Sequence, residues 1–170
     1  MILTKEPTPE TRLAALGVTL PAQAPSPIGA FQNVRIAGGM AYVSGQGPVR
    51  GDGSLCRGKV GGDVTPEDAR EHARLVGINI LAALRDHLGS LDRVASVVKL
   101  LGLVNATPDF ERHPYVIDGA SNLMAEIFGE SGRHARSAIG VGSLPNNITV
   151  EIEAIFEIAP DRIAPDRPAP

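Results

Sequence analysis

The side chains most suited to chemistry lie near the C-terminal end. Glu151 and Glu153 stand two apart in Val150-Glu151-Ile152-Glu153-Ala154-Ile155-Phe156-Glu157-Ile158, where apolar and other residues alternate strictly, as in a strand. Both carboxylates then project from one face, roughly 7 Å apart along the backbone. Paired acids there could do acid/base work or could solvate an exposed sheet face, and spacing leaves both readings open. Upstream, Arg136-Ser137 begins a second β-prone run, and Leu144-Pro145-Asn146-Asn147 has the composition of a turn joining the two. The expectation is an Arg and a Glu facing each other across paired strands, as a structural ion pair or a binding pair.

Other motif matches carry less. Gly45-Gln46-Gly47 begins like a dinucleotide fingerprint, but no capped helix opens directly behind it. Ser96-Val97-Val98-Lys99 has the S-x-x-K spacing of a serine nucleophile, yet an offset of three in a strand sends the two side chains to opposite faces. His72, His87, His113 and His134 lack HExxH spacing, and Cys56 is the only cysteine, so no metal site or internal disulfide is expected. Asn147-Ile148-Thr149 is a glycosylation sequon that matters only in a secreted chain.

The elements that must position these residues can be read from local signals. With 170 residues, 43% of them apolar, the chain can build one substantial core but not two ordinary domains. A net charge of -3 without a Lys/Arg-rich run gives no footprint for a phosphate backbone, so nucleic acid is not an expected partner. The N-terminus lacks a signal-peptide core and no apolar stretch approaches the roughly 20 residues of a membrane span, so a soluble, cytoplasmic protein is expected.

A short helix is predicted from Thr8 to Leu16, then a proline-broken lead-in through Pro25 and Pro27. Val34 to Ser44 reads as a hairpin turning at Gly38-Gly39, and Gly45 to Gly62 as loop with a short strand around Lys59 and Val60. Thr65-Pro66-Glu67-Asp68 starts a helix that buries Ala69, Ala73, Val76, Ile80 and Leu84 and stops at Gly89. Ser90 to Leu103 contains a β-branched run long enough for a buried or half-buried strand, and Pro108 and Pro114 break the chain beyond it. A second long helix runs from Val116 to Phe128, burying Ile117, Ala120, Leu123, Met124 and Ile127. Strands Ser137 to Gly142 and Thr149 to Ile158 complete a ββαβαββ order, an α+β mixed sheet with two helices on one face. The tail from Ala159 repeats Ala-Pro-Asp-Arg and favours extended chain.

Ser26-Pro27-Ile28-Gly29-Ala30-Phe31, Ser44-Gly45-Gln46-Gly47-Pro48, Ala135-Arg136-Ser137-Ala138, Leu144-Pro145 and Val150-Glu151-Ile152-Glu153-Ala154-Ile155 occur in an order that resembles the RidA/YjgF family of reactive-intermediate deaminases. The resemblance spans Ile28 to Ile158, which divides the chain into a lead-in (1–27), the family-like domain (28–158) and a Pro-rich tail (159–170). It implies a chorismate-mutase-like fold and a barrel-centred homotrimer with ligand sites between subunits. It also implies hydrolysis of reactive enamines and imines of the 2-iminobutyrate type to 2-oxo acids and ammonia, without metal or cofactor. Some relatives are associated with ribonuclease activity, and a non-catalytic small-carboxylate-binding trimer would use the same pocket. Arg136 matches the arginine that grips the substrate carboxylate, and Glu151 the acid that handles water. Ser44 and Gly45 match cleft-lining positions; Phe31 stands where a tyrosine is usual, and Ala138 where a cysteine is common. The segment Thr107 to Ala120 is longer than in compact members and is expected to reshape the cleft rim.

Overall fold

The chain is described by a computed structural model covering residues 6–160. The repeated tail lies almost wholly outside these residues. Helix α1 (Pro9–Ala15) starts where expected: the Thr8 hydroxyl accepts from the Thr11 N–H, and Pro9 occupies the first turn. Strands β1 (Val34–Ala37) and β2 (Met40–Gln46) form the hairpin, with φ of +56° and +75° at Gly38 and Gly39, the positive values of a tight two-residue turn. In the following loop, Val60 makes isolated bridges to Val64 and Ala106. Helix α2 (Pro66–Leu88) is capped by Thr65, carries Glu67 and Asp68 in its first turn, and ends at Gly89 in the left-handed conformation.

Strand β3 (Val94–Asn105) leads to helix α3 (His113–Phe128), then β4 (Ala135–Val141) and β5 (Val150–Ile158). Helix α3 begins three positions before the expected Val116. Pro114 does not break it but sits in its first turn, where a missing N–H forfeits no intrahelical bond.

The sheet order is β1-β2-β5-β3-β4, with β3 and β4 parallel and the other pairs antiparallel. This overturns the expected pairing of β4 with β5. Strand β5 instead enters between β2 and β3, where its unbroken apolar face of Val150, Ile152, Ala154, Phe156 and Ile158 is almost wholly buried. The chain after β4 does not turn back on itself. It crosses to the 56–58 loop, where Arg57 bridges Ile148, the Gly58 N–H donates to Asn147 O and the Thr149 N–H to Cys56 O. Asn146 and Asn147, with φ of +53° and +56°, make that bend.

Register shifts in the β3–β5 pairing also overturn the expectation that Ser96 and Lys99 face opposite ways. Ser96 pairs with Glu157 and Lys99 with Ile155, so the shift between Val97 and Lys99 puts both on one face of the sheet. The Ser96 hydroxyl donates to Glu157 Oε2 at 2.9 Å, a surface link between strands.

Helices α2 and α3 cover one face of the sheet, and α1 packs against α3. The two long helices approach closely: a Cβ on Gly119 would lie 2.0 Å from the Arg70 carbonyl oxygen. The other sheet face is open, with Tyr42 and Ile139 45% and 48% exposed.

Candidate functional site

Glu151 is the second residue of β5 and faces the end of β2. The β2–β5 register shifts between Val43 and Gln46, which leaves Gly45 inside an irregularity of the strand. A Cβ at Gly45 would lie 2.3 Å from Glu151 Oε1, so the carboxyl group rests on bare backbone that only glycine provides. Pro27, Ile28, Phe31, Gly45, Ile148 and Glu151 contribute to the wall of a cavity of about 150 Å³. Burial, and then the neighbouring Glu153 charge, push the Glu151 carboxyl above the ordinary carboxylate range. Among the described residues no basic side chain forms an ion pair with it.

The lead-in forms the roof of this cavity and is pinned by polar side chains. Buried Gln46 donates through Nε2 to Asn33 Oδ1 and Ser44 O, while Asn33 Nδ2 donates to Pro25 O at 2.8 Å. The Ser44 hydroxyl donates to Gln32 O at 2.7 Å. Ser44 thus anchors the lead-in and is not on the cavity wall, whereas Gly45 and Phe31 are. On the far side, fully buried Asn105 accepts from Lys59 Nζ at 2.7 Å and donates to Gly58 O and Asn147 Oδ1. It holds together the loops that carry Asn146 and Ile148 into the wall.

Arg136 occupies different ground. It pairs with Leu100 on β3, whereas Glu151 pairs with Leu103, and β4 and β5 lie on opposite sides of β3. Its Nη1 donates to Asp118 Oδ1 at 2.7 Å and to Ser121 Oγ at 3.0 Å, both on α3. Ser121 is hydrogen-bonded to His134 Nε2 at 3.0 Å, and His134 Nδ1 to Gly132 O at 2.7 Å. Asp118, Ser121, Gly132, His134 and Arg136 line an open cavity of about 440 Å³. Burial lowers the pKa of His134; its hydrogen bond to Gly132 raises it, and the Arg136 charge lowers it further. Ala138, two residues along β4, packs against the core from the same face.

The expectation of Arg136 and Glu151 facing each other within one chain is therefore corrected. The structure brings Glu151, Gly45 and Phe31 together in one cavity and places Arg136 and Ala138 at the β4 edge. Asp118, Ser121 and His134 belong to no motif recognisable in the sequence. Their only signals are the i, i+3 spacing of Asp118 and Ser121 and the i, i+2 spacing of His134 and Arg136, which put each pair on a shared face. No group of three or more His, Cys, Asp or Glu side chains able to hold a metal occurs among the described residues. Nor is any helix among them long and apolar enough to cross a membrane.

Residues 10–157 match the family described as "YjgF/chorismate mutase-like, putative endoribonuclease". The chain belongs to the RidA/YjgF family. Its α+β architecture is the chorismate-mutase-like fold of that family. Among curated relatives, Protein TCP17 of Trypanosoma cruzi is 39% identical over 147 residues, covering 86% of this chain and 91% of the relative. Among solved structures, the Agrobacterium tumefaciens protein Atu1372 is 44% identical with a TM-score of 0.80, covering 89% of this chain and 94% of that one. A Shewanella oneidensis MR-1 protein, also described as a "putative endoribonuclease", is 34% identical with a TM-score of 0.84, over 89% and 99% of the two chains.

Proposed function

We propose that this RidA/YjgF protein hydrolyses reactive enamines and imines of the 2-iminobutyrate type to 2-oxo acids and ammonia, at sites shared between the subunits of a homotrimer. The observation that carries this reading is the division of the candidate machinery. One chain holds a half-buried Glu151, without an ion-pair partner among the described residues, in a largely apolar cavity and, at a separate sheet edge, an arginine with guanidinium hydrogens to spare. Each half lacks what the other has. The open sheet face that carries Glu151, with Tyr42 and Ile139 exposed on it, is suited to burial against neighbouring subunits.

In the assembled site, Arg136 of one subunit grips the substrate carboxylate with its planar fork, which places the imine carbon over Glu151 of the next. Glu151 takes a proton from water as the oxygen attacks that carbon and passes it to the imine nitrogen, leaving a tetrahedral carbon that carries a hydroxyl and an amine. Glu151 then takes the hydroxyl proton and delivers it to the nitrogen as the C–N bond breaks and the C=O bond forms, releasing 2-oxo acid and ammonia. A carboxyl group held above its usual range is matched to this exchange, accepting a proton more readily than a solvated glutamate. Phe31 is the apolar wall beside the reacting carbon and has no hydroxyl with which to relay a proton, so that task falls to Glu151. Ala138 retains the backbone N–H that a cysteine would offer at the same position.

The lack of a hydroxyl at Phe31 also favours a second reading, a carboxylate-binding regulatory trimer without turnover. Endoribonuclease activity, named for the family, is weighed against by the net charge of -3 and the absence of any basic run. The test is 2-oxobutyrate and ammonia release from freshly generated 2-iminobutyrate. Wild type accelerates release and Arg136→Ala does not, while remaining folded and assembled. Binding of 2-oxobutyrate with no acceleration would establish the second reading instead.

A further inference from the structure

The cluster around Arg136 is more ordered than a surface ion pair requires. A guanidinium carries five N–H donors: one on Nε and two on each terminal nitrogen. Asp118 and Ser121 both accept from Nη1, which accounts for its two hydrogens. Among the described residues nothing is hydrogen-bonded to Nε or Nη2. These form the edge of the fork that binds a carboxylate bidentately. Both acceptors project from α3, at positions three apart on one helical face, so α3 fixes the plane of a side chain rooted in β4.

The direction of the Ser121 hydroxyl is set by His134. Gly132 O can only accept, so His134 Nδ1 carries the hydrogen in that bond. On the neutral ring Nε2 is then an acceptor, and the Ser121 hydroxyl must donate to it. Ser121 Oγ is left with its lone pairs for Arg136. Burial favours the neutral ring, in keeping with this arrangement.

We infer that Asp118, Ser121 and His134 are positioning residues that hold Arg136 by Nη1 and present its Nε/Nη2 edge to a ligand carboxylate. This rests on the carboxylate-gripping role proposed above for Arg136. It goes beyond that role by assigning the specificity for a planar carboxylate to a relay from His134 through Ser121, with Asp118 as the second anchor.

The test is calorimetric titration of the assembled full-length protein with 2-oxobutyrate. Ser121→Thr and Ser121→Val have nearly the same shape and differ in the hydroxyl, so changes due to size cancel between them. Ser121→Thr binds close to wild type and Ser121→Val about tenfold more weakly, the size of a lost hydrogen bond to a charged group. His134→Leu, which frees the Ser121 hydroxyl to turn away, weakens binding in the same direction by less. Combined with Ser121→Val it adds little, because both act through one chain of bonds. Equal affinity of the Thr and Val variants, or full additivity with His134→Leu, would overturn the inference. Arg136→Ala separates the two ideas. If it binds as wild type, the carboxylate role itself is wrong; if it loses binding while the Ser121 pair remain equal, only the positioning network is wrong.

Discussion

Glu151 and Arg136 belong to one sheet, but the protein keeps their charges in opposite ways. Around Glu151 the chain half-buries the carboxyl and, among the described residues, supplies no counter-ion: glycine backbone lies on one side, proline, isoleucine and phenylalanine on others. Around Arg136 it supplies a carboxylate, a hydroxyl and an oriented imidazole, and leaves the cavity open. Withholding partners makes the acid ready to exchange a proton; supplying them aims the base while its charge stays permanent. The difference separates a reacting end from a gripping end, and substitutions that break one should spare the other.

The largest effect is expected from Gly45→Ala. The new Cβ would collide with the Glu151 carboxyl, which can swing aside because it ends a flexible side chain. Stability changes little while turnover of 2-iminobutyrate falls about a hundredfold, the scale of a lost general base. Binding of 2-oxobutyrate persists, since Arg136 is untouched. Unchanged turnover would mean that the position of the carboxyl on bare backbone is irrelevant.

Gly119→Ala strikes the other end. Its Cβ meets the Arg70 backbone oxygen, which cannot step aside without moving helix α2 away from α3. Overpacking of this kind costs about 1–3 kcal/mol, read as a lower denaturant midpoint. Carboxylate binding should weaken with it, because α3 carries Asp118 and Ser121. An unchanged midpoint would show that the helices have slack at this crossing.

Glu151→Gln is the gentlest probe, through pH. In the folded chain burial disfavours the charged carboxyl, so its proton is held to higher pH than in the unfolded chain. That penalty is absent below the unfolded value and complete above the folded one. The variant, which has nothing to ionise, should therefore melt slightly above wild type at neutral pH, and the gap should close as pH falls through the carboxylate range. A variant that melts lower at neutral pH would mean that Glu151 has a stabilising partner.

Much of this arrangement is written in local sequence. Thr8, Thr65 and Gly89 mark helix ends because capping and left-handed backbone are decided within a few residues, and the alternation of β5 fixes which side faces the core. The neighbour of β4 is not local. Pro145, Asn146 and Asn147 do bend the chain, but whether the next strand pairs with β4 or crosses to another slot depends on β3 and β2 competing for β5. The register shift that puts Ser96 and Lys99 on one face is equally a property of the pair of strands. Arg136 and Glu151 stand out through their family resemblance. Asp118, Ser121 and His134 do not, because their meeting depends on how α3 lies over the edge of β4.

The central claim, that Arg136 and Glu151 work together only across a subunit boundary, is open to a direct mixing experiment. Arg136→Ala and Glu151→Gln subunits, each inactive alone, are unfolded together in equal amounts, refolded, and assayed for 2-oxobutyrate release. If the site is shared between adjacent subunits of a ring, about a quarter of the sites in the random mixture regain both residues, and activity returns to about that fraction of wild type. If both residues act within one chain, no mixed assembly contains an intact site, and a refolded, assembled but inactive mixture would contradict the account.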